Sequence, residues 1–99
     1  MEESTTPLIL NVDDDEMGRY AVTRILEQTG FEVIEAATGE EGLELVSRSP
    51  DLVILGVNLP DINGFEVCKL IKADPANSAI PVLRLSATYL NAKDQIDGL

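Results

Sequence analysis

Four short apolar runs, separated by stretches with helical periodicity, constrain the fold of this chain more than any other feature. Leu8 to Val12, Phe31 to Ala36, Asp51 to Leu55 and Ile80 to Leu85 each read as a strand. The connections between them are too long for hairpins, so successive strands must run parallel with a helix in each crossover. An α/β fold with an open parallel sheet follows. Leu52 to Leu55 is continuously apolar, as suits a strand buried on both faces. Glu32 and Glu35 place the second run toward the outer part of the sheet. Ninety-nine residues with no interdomain linker give a single domain over 1–99.

The intervening segments carry helix signals. Met17, Ala21 and Ile25 recur at i, i+4 and i+8 with Val22 and Leu26 beside them, which predicts a helix from about Glu16 to Thr29. Gly30 is its stop. Thr38 and Glu41 form a capping box at the start of a second helix, and Ser49-Pro50 ends it. A loop containing Asn58, Pro60, Asp61 and Asn63-Gly64 leads to a third helix, on which Phe65, Cys68 and Ile71 share a face. Asn91 is placed to cap a fourth, carrying Ala92, Ile96 and Leu99.

Charge narrows the function. With 18 acidic residues, 7 basic ones and no histidine, the net charge is -11, the wrong sign for gripping a phosphate backbone. No direct nucleic-acid binding is expected. No apolar run approaches the roughly 20 residues that span a bilayer, and no basic region precedes one, so no membrane association is expected either. The lone Cys68 excludes an internal disulfide and, without histidine, an ordinary Cys/His zinc site. A reducing, cytoplasmic setting fits, with Cys68 as a small buried hydrophobe.

In an open parallel sheet, sites form at the carboxyl ends of the strands. Asp13 and Asp14 follow the first strand, Gly56 to Asn58 the third, and Ser86-Ala87-Thr88 the fourth. Adjacent carboxylates repel unless a hard cation such as Mg²⁺ offsets them. The run Asp13 to Glu16 equally suits a solvated helix start. Asp61 reads as a turn-forming acid, Thr88 as a turn-capping hydroxyl and Lys93 as a solvated helix residue. Asn11, in a central strand, needs hydrogen-bond partners if buried. Arg84 should lay its stem on apolar surface and send its charge toward the carboxyl-end site or past a helix edge.

Taken in order, Leu10-Asn11-Val12-Asp13-Asp14-Asp15-Glu16, Gly39 to Leu43, Pro50 to Leu55, Leu59 to Val67, Ile80 to Leu83 and Leu85-Ser86-Ala87 resemble the receiver domain of bacterial two-component response regulators, over essentially the whole chain. The resemblance implies a flavodoxin-like sheet in the order 2-1-3-4-5 with five helices. It implies that Asp14 binds Mg²⁺ directly, that Asp13 acts largely through water, and that the Asn58 carbonyl is a further ligand. Ser86 would be the hydroxyl that answers phosphorylation. The implied partners are a histidine kinase or phosphotransfer protein, which would dock on the first helix, and an output or kinase domain fused in a parent protein.

Two departures qualify this. Gly56 stands where the family carries its phosphoacceptor aspartate, and glycine has no nucleophile. No catalytic residue is therefore assigned, the chain is expected not to be an enzyme, and Mg²⁺ binding is expected to be weak or absent. The family's fifth strand, its lysine and its fifth helix would lie beyond Leu99, leaving the fourth strand exposed for self-association. The expected function is that of a receiver module of a phosphorelay, unable to accept phosphate and acting through protein contacts. The alternative is a Mg²⁺-dependent phosphohydrolase with Asp13 as nucleophile and Asp15 as acid/base.

Overall fold

The computed structural model describes residues 6–56 and 59–85. Strands β1 (Leu8–Val12), β2 (Glu32–Ala36), β3 (Leu52–Gly56) and β4 (Val82–Leu85) form one sheet in the order β2-β1-β3-β4, with every pair parallel. Helices α1 (Glu16–Thr29), α2 (Gly39–Leu45) and α3 (Gly64–Ala73) fill the crossovers, and a 3₁₀ turn spans Val46–Arg48. The sheet grows outward from β1 to β2, then returns past β1 to β3. That reversal opens a crevice between the carboxyl ends of β1 and β3. The expected fourth helix at Asn91 lies outside the described residues.

Register separates the two faces. Leu10 and Val12 lie beside Ile34 and Ala36 on one flank, and beside Val53 and Leu55 on the other. Most of these residues join Val46, Leu59, Val67 and Ile71 in one buried cluster, against which Ile34 packs, with α2 and α3 covering it. The opposite face carries Ile9, Asn11 and Ile54, and Asn11 bonds directly to α1.

Local chemistry sets the helix ends. Asp15 caps α1 by accepting from the Gly18 N–H at 3.1 Å. Gly30 ends the helix at φ 110°, a left-handed conformation open to glycine but strained for other residues. At α2, the Glu41 N–H donates to Thr38 Oγ1 at 3.0 Å, while Glu41 Oε1 reaches back to the Ala37 N–H at 2.9 Å. The capping box therefore closes one residue earlier than its usual form.

On two helices the apolar periodicity and the buried row do not coincide. Met17 is 82% exposed, Ile25 62% exposed, and Ala21 lies outside as well. The periodicity located α1, but the helix turns inward through Arg19, Val22, Thr23 and Leu26, where the Thr23 hydroxyl and the Arg19 carbonyl accept from the buried Asn11 amide. On α3, Phe65 is 61% exposed, and Gly64, Val67 and Ile71 form the buried row. Cys68 is half-buried against the core.

Helix α2 approaches β1 closely at Gly42. A Cβ at Gly42 would stand 2.9 Å from Val12 Cγ2, inside the core. Gly42→Ala should therefore lower stability: overpacking costs about 1–3 kcal/mol, and better helix propensity returns at most about 1 kcal/mol. Urea unfolding measures the net, and an unchanged or raised midpoint would show that the layers separate freely.

Candidate functional site

The candidate site lies in the crevice where β1 and β3 end. Asp13 directly follows β1, and its N–H donates to the Ala36 carbonyl at 3.0 Å, prolonging the parallel pairing by one step. Asp13 is half-buried, whereas Asp14 and Asp15 are exposed. The Asp15 N–H donates to Asp13 Oδ1 at 3.0 Å. The acidic run thus splits in two: Asp15 and Glu16 start the helix, while the Asp13 carboxylate turns back toward the strand ends.

Gly56 closes β3 on the other side. A Cβ there would lie 3.4 Å from the Val12 carbonyl oxygen, 3.6 Å from Asp13 Oδ1 and 3.7 Å from Asp13 Cα. These are ordinary van der Waals separations. Its φ is not in the left-handed region, so the backbone makes no demand for glycine. Any side chain at position 56 would emerge against the Asp13 carboxylate. Asn58, Ser86, Thr88 and Lys93 lie outside the described residues. Among the described residues, no group of three or more His, Cys, Asp or Glu side chains is arranged to hold a metal ion.

Other acids serve the frame. Asp51 sits at the amino end of the sheet, where its Oδ2 accepts from the Leu8 N–H at 2.8 Å and its N–H donates to the Leu8 carbonyl at 2.7 Å. Asp61 does more than form a turn. Its carboxylate accepts from the N–H groups of Gly39 at 2.8 Å and Glu40 at 2.9 Å, tying the loop after β3 to the first turn of α2. Sequence reading missed this tie because partners more than twenty residues away leave no local signal.

It also missed a polar circuit beneath Asp13. Asn11 Nδ2 donates to Thr23 Oγ1 and to the Arg19 carbonyl, both at 3.1 Å. Thr23 Oγ1 donates to Glu35 Oε2, and Arg19 Nε lies 3.4 Å from Glu35 Oε1. Arg19 Nη1 donates to the Asp13 carbonyl at 2.6 Å. The one available signal was Asn11 itself, an amide in a central strand. Arg84 places its charged end over an aromatic face, its guanidinium carbon 4.1 Å from the centroid of the Phe65 ring on α3.

With this geometry in place, similarity to known proteins becomes specific. The sequence profile of the response regulator receiver domain matches residues 9–97. This chain belongs to that family. The receiver is 37% identical to Protein PilH of Pseudomonas aeruginosa over 88% of its own length and 69% of that protein. It is 40% identical to the transcriptional regulatory protein AfsQ1 of Streptomyces coelicolor over 82% of its length, but spans only 35% of that relative. Among solved structures, the N-terminal domain of a response regulator receiver protein from Methanoculleus marisnigri superposes with a TM-score of 0.77 at 42% identity, covering 81% of this chain and 66% of that one. The chemotaxis response regulator CheY4 of Vibrio cholerae gives 0.78 at 33% identity, covering 81% and 68%. The open parallel sheet in the order β2-β1-β3-β4 is the CheY-like arrangement. No helix among the described residues is long and apolar enough to cross a membrane.

The tie at Asp61 gives this receiver an acid-sensitive joint. The hydrogen bonds from the Glu40 and Gly39 N–H groups favour the carboxylate and hold its pKa below the ordinary 3.8. A depressed folded-state pKa stabilises the fold above 3.8, and that contribution fades as pH falls through the lowered value. Asp61→Asn should therefore destabilise the receiver near neutral pH and lose its effect in strong acid. Unfolding midpoints of the two proteins across that range test this, and a gap that persists unchanged in acid would count against a charged joint.

Proposed function

We propose that this receiver works in a two-component phosphorelay as a module that does not accept phosphate and acts through protein contacts. The observation that carries this reading is Gly56, at the end of β3 and against the Asp13 carboxylate. In a receiver with aspartate at that position, a carboxylate oxygen would attack phosphorus while the bond to the donor histidine breaks. Glycine offers no oxygen for that step. The partners on this reading are a histidine kinase or phosphotransfer protein, meeting the exposed Met17 and Tyr20 of α1. An output or kinase domain joined to the receiver in its parent protein is consistent with the 35% of the transcriptional regulatory protein AfsQ1 that the chain spans. We place it in the cytoplasm, as a non-enzyme, with Ser86 as the hydroxyl that a phosphoryl group would have engaged.

Mg²⁺ is the metal this family implies. The Asp13 carboxylate, turned toward position 56, and the exposed Asp14 suit a hard cation that keeps much of its water, with the Asn58 carbonyl as a further donor. The third carboxylate is missing, so binding should be weak. The phosphohydrolase alternative fares worse, because Asp15 Oδ2 already caps α1 and is a poor general acid while it accepts that N–H. Self-association through β4 rests on its edge position in the described sheet.

Treatment with Mg²⁺ and a small phosphodonor should leave the intact mass unchanged, and a hydroxylamine-labile phosphoryl adduct would overturn the reading. Gly56→Asp should fold, since its Cβ has room, and should bind Mg²⁺ more tightly than the glycine protein by calorimetry. Equal or weaker binding by the aspartate variant would show that a carboxylate at position 56 does not join Asp13 and Asp14 around the metal.

A further inference from the structure

Asp13 is held at its amide, its carbonyl and its carboxylate. Its N–H bonds the Ala36 carbonyl, its Oδ1 accepts from the Asp15 N–H, and its carbonyl accepts from Arg19 Nη1 at 2.6 Å. The first two contacts come from neighbouring backbone. The third comes from a side chain only 17% exposed, whose other edge faces Glu35. Glu35 is steadied in turn by Thr23, and Thr23 by the buried Asn11. The hydroxyl of Thr23 donates to the carboxylate and accepts from the amide, which satisfies both lone-pair and proton requirements. A planar guanidinium with donors on fixed axes can serve the Asp13 carbonyl and Glu35 at once, which a lysine ammonium on a flexible stem does poorly.

We propose that Arg19 is the positioning residue of the acidic loop: it fixes the Asp13 carbonyl from α1 and so aims the Asp13 carboxylate at position 56. The functional weight of this rests on the reading of Asp13 as a cation-facing carboxylate. The geometric claim is separately testable. Two effects of Arg19 on a bound cation oppose each other. Its charge repels the cation, so on electrostatics alone its removal would tighten binding. Its hydrogen bond orders the carboxylate, so on positioning its removal would weaken binding.

The test uses the whole chain with Arg19→Lys and Arg19→Gln. Amide hydrogen exchange followed by NMR reports the loop without any ligand, and Mn²⁺ alone, followed by water-proton relaxation, reports cation affinity. Positioning predicts that in both variants protection at the Asp13 amide falls about tenfold, the size of one lost charge-assisted hydrogen bond. The Val53 amide, bonded to the Pro81 carbonyl at 3.0 Å, should hold its protection as an internal control. Mn²⁺ affinity should drop about tenfold in both. Unchanged Asp13 protection in Arg19→Lys would overturn the proposal, as would Mn²⁺ binding to Arg19→Gln as tight as to the parent. If Arg19→Gln fails to fold, the lysine variant, which keeps charge and stem, decides. If the parent takes up no Mn²⁺, the cation reading of Asp13 fails, while the exchange data still judge Arg19.

Discussion

Asn11 is an amide 1% exposed in a strand with neighbours on both sides, and an unpaired amide there would cost about 1–3 kcal/mol. Its backbone is occupied by the sheet, so its side chain must be answered from α1. Thr23 and the Arg19 carbonyl supply that answer, and they set the rotation of α1 over the sheet. Once α1 is rotated to serve Asn11, Met17, Tyr20 and Ile25 face outward, and Arg19 lies under the end of β1. The outward face of α1 and the contact of Arg19 with the Asp13 carbonyl thus follow from one buried polar group.

The opposite face obeys a different constraint. There the requirement is close packing of apolar side chains, and glycines let the layers approach. Gly42 brings α2 onto Val12, while a Cβ at Gly39 would meet Val67 Cγ2 at 3.0 Å. This draws the first turn of α2 within reach of Asp61, whose carboxylate then closes the gap between the two connections. One face is held by a polar circuit and the other by volume, and the crevice at the ends of β1 and β3 lies between them.

Within that frame Gly56 is a change of chemistry without a change of conformation. Its backbone is ordinary strand, and the space beside it suits a side chain. Glycine brings neither charge nor nucleophile to this point, next to an Asp13 whose main chain and carboxylate are held. A receiver could therefore carry either glycine or a side chain at this point and keep its architecture.

Strand positions and the helix signals at Thr38 and Gly30 were determined by the sequence, because each depends on residues within a few positions of one another, and parallel pairing followed from connections too long for hairpins. The edge placement of β2 was also readable, since Glu32 and Glu35 cannot both be buried in a central strand. The juxtaposition of Asp13 and Gly56 was readable only through the order of motifs along the chain. The inward face of α1, the exposure of Phe65 beneath Arg84, the span of Asp61 and the circuit through Arg19 and Glu35 were decided by the tertiary structure. Each joins residues from different elements, and helical periodicity alone does not say which of two adjacent rows will meet a buried amide on the sheet. That choice belongs to the packed layers, where an unsatisfied polar group costs more than an exposed methionine.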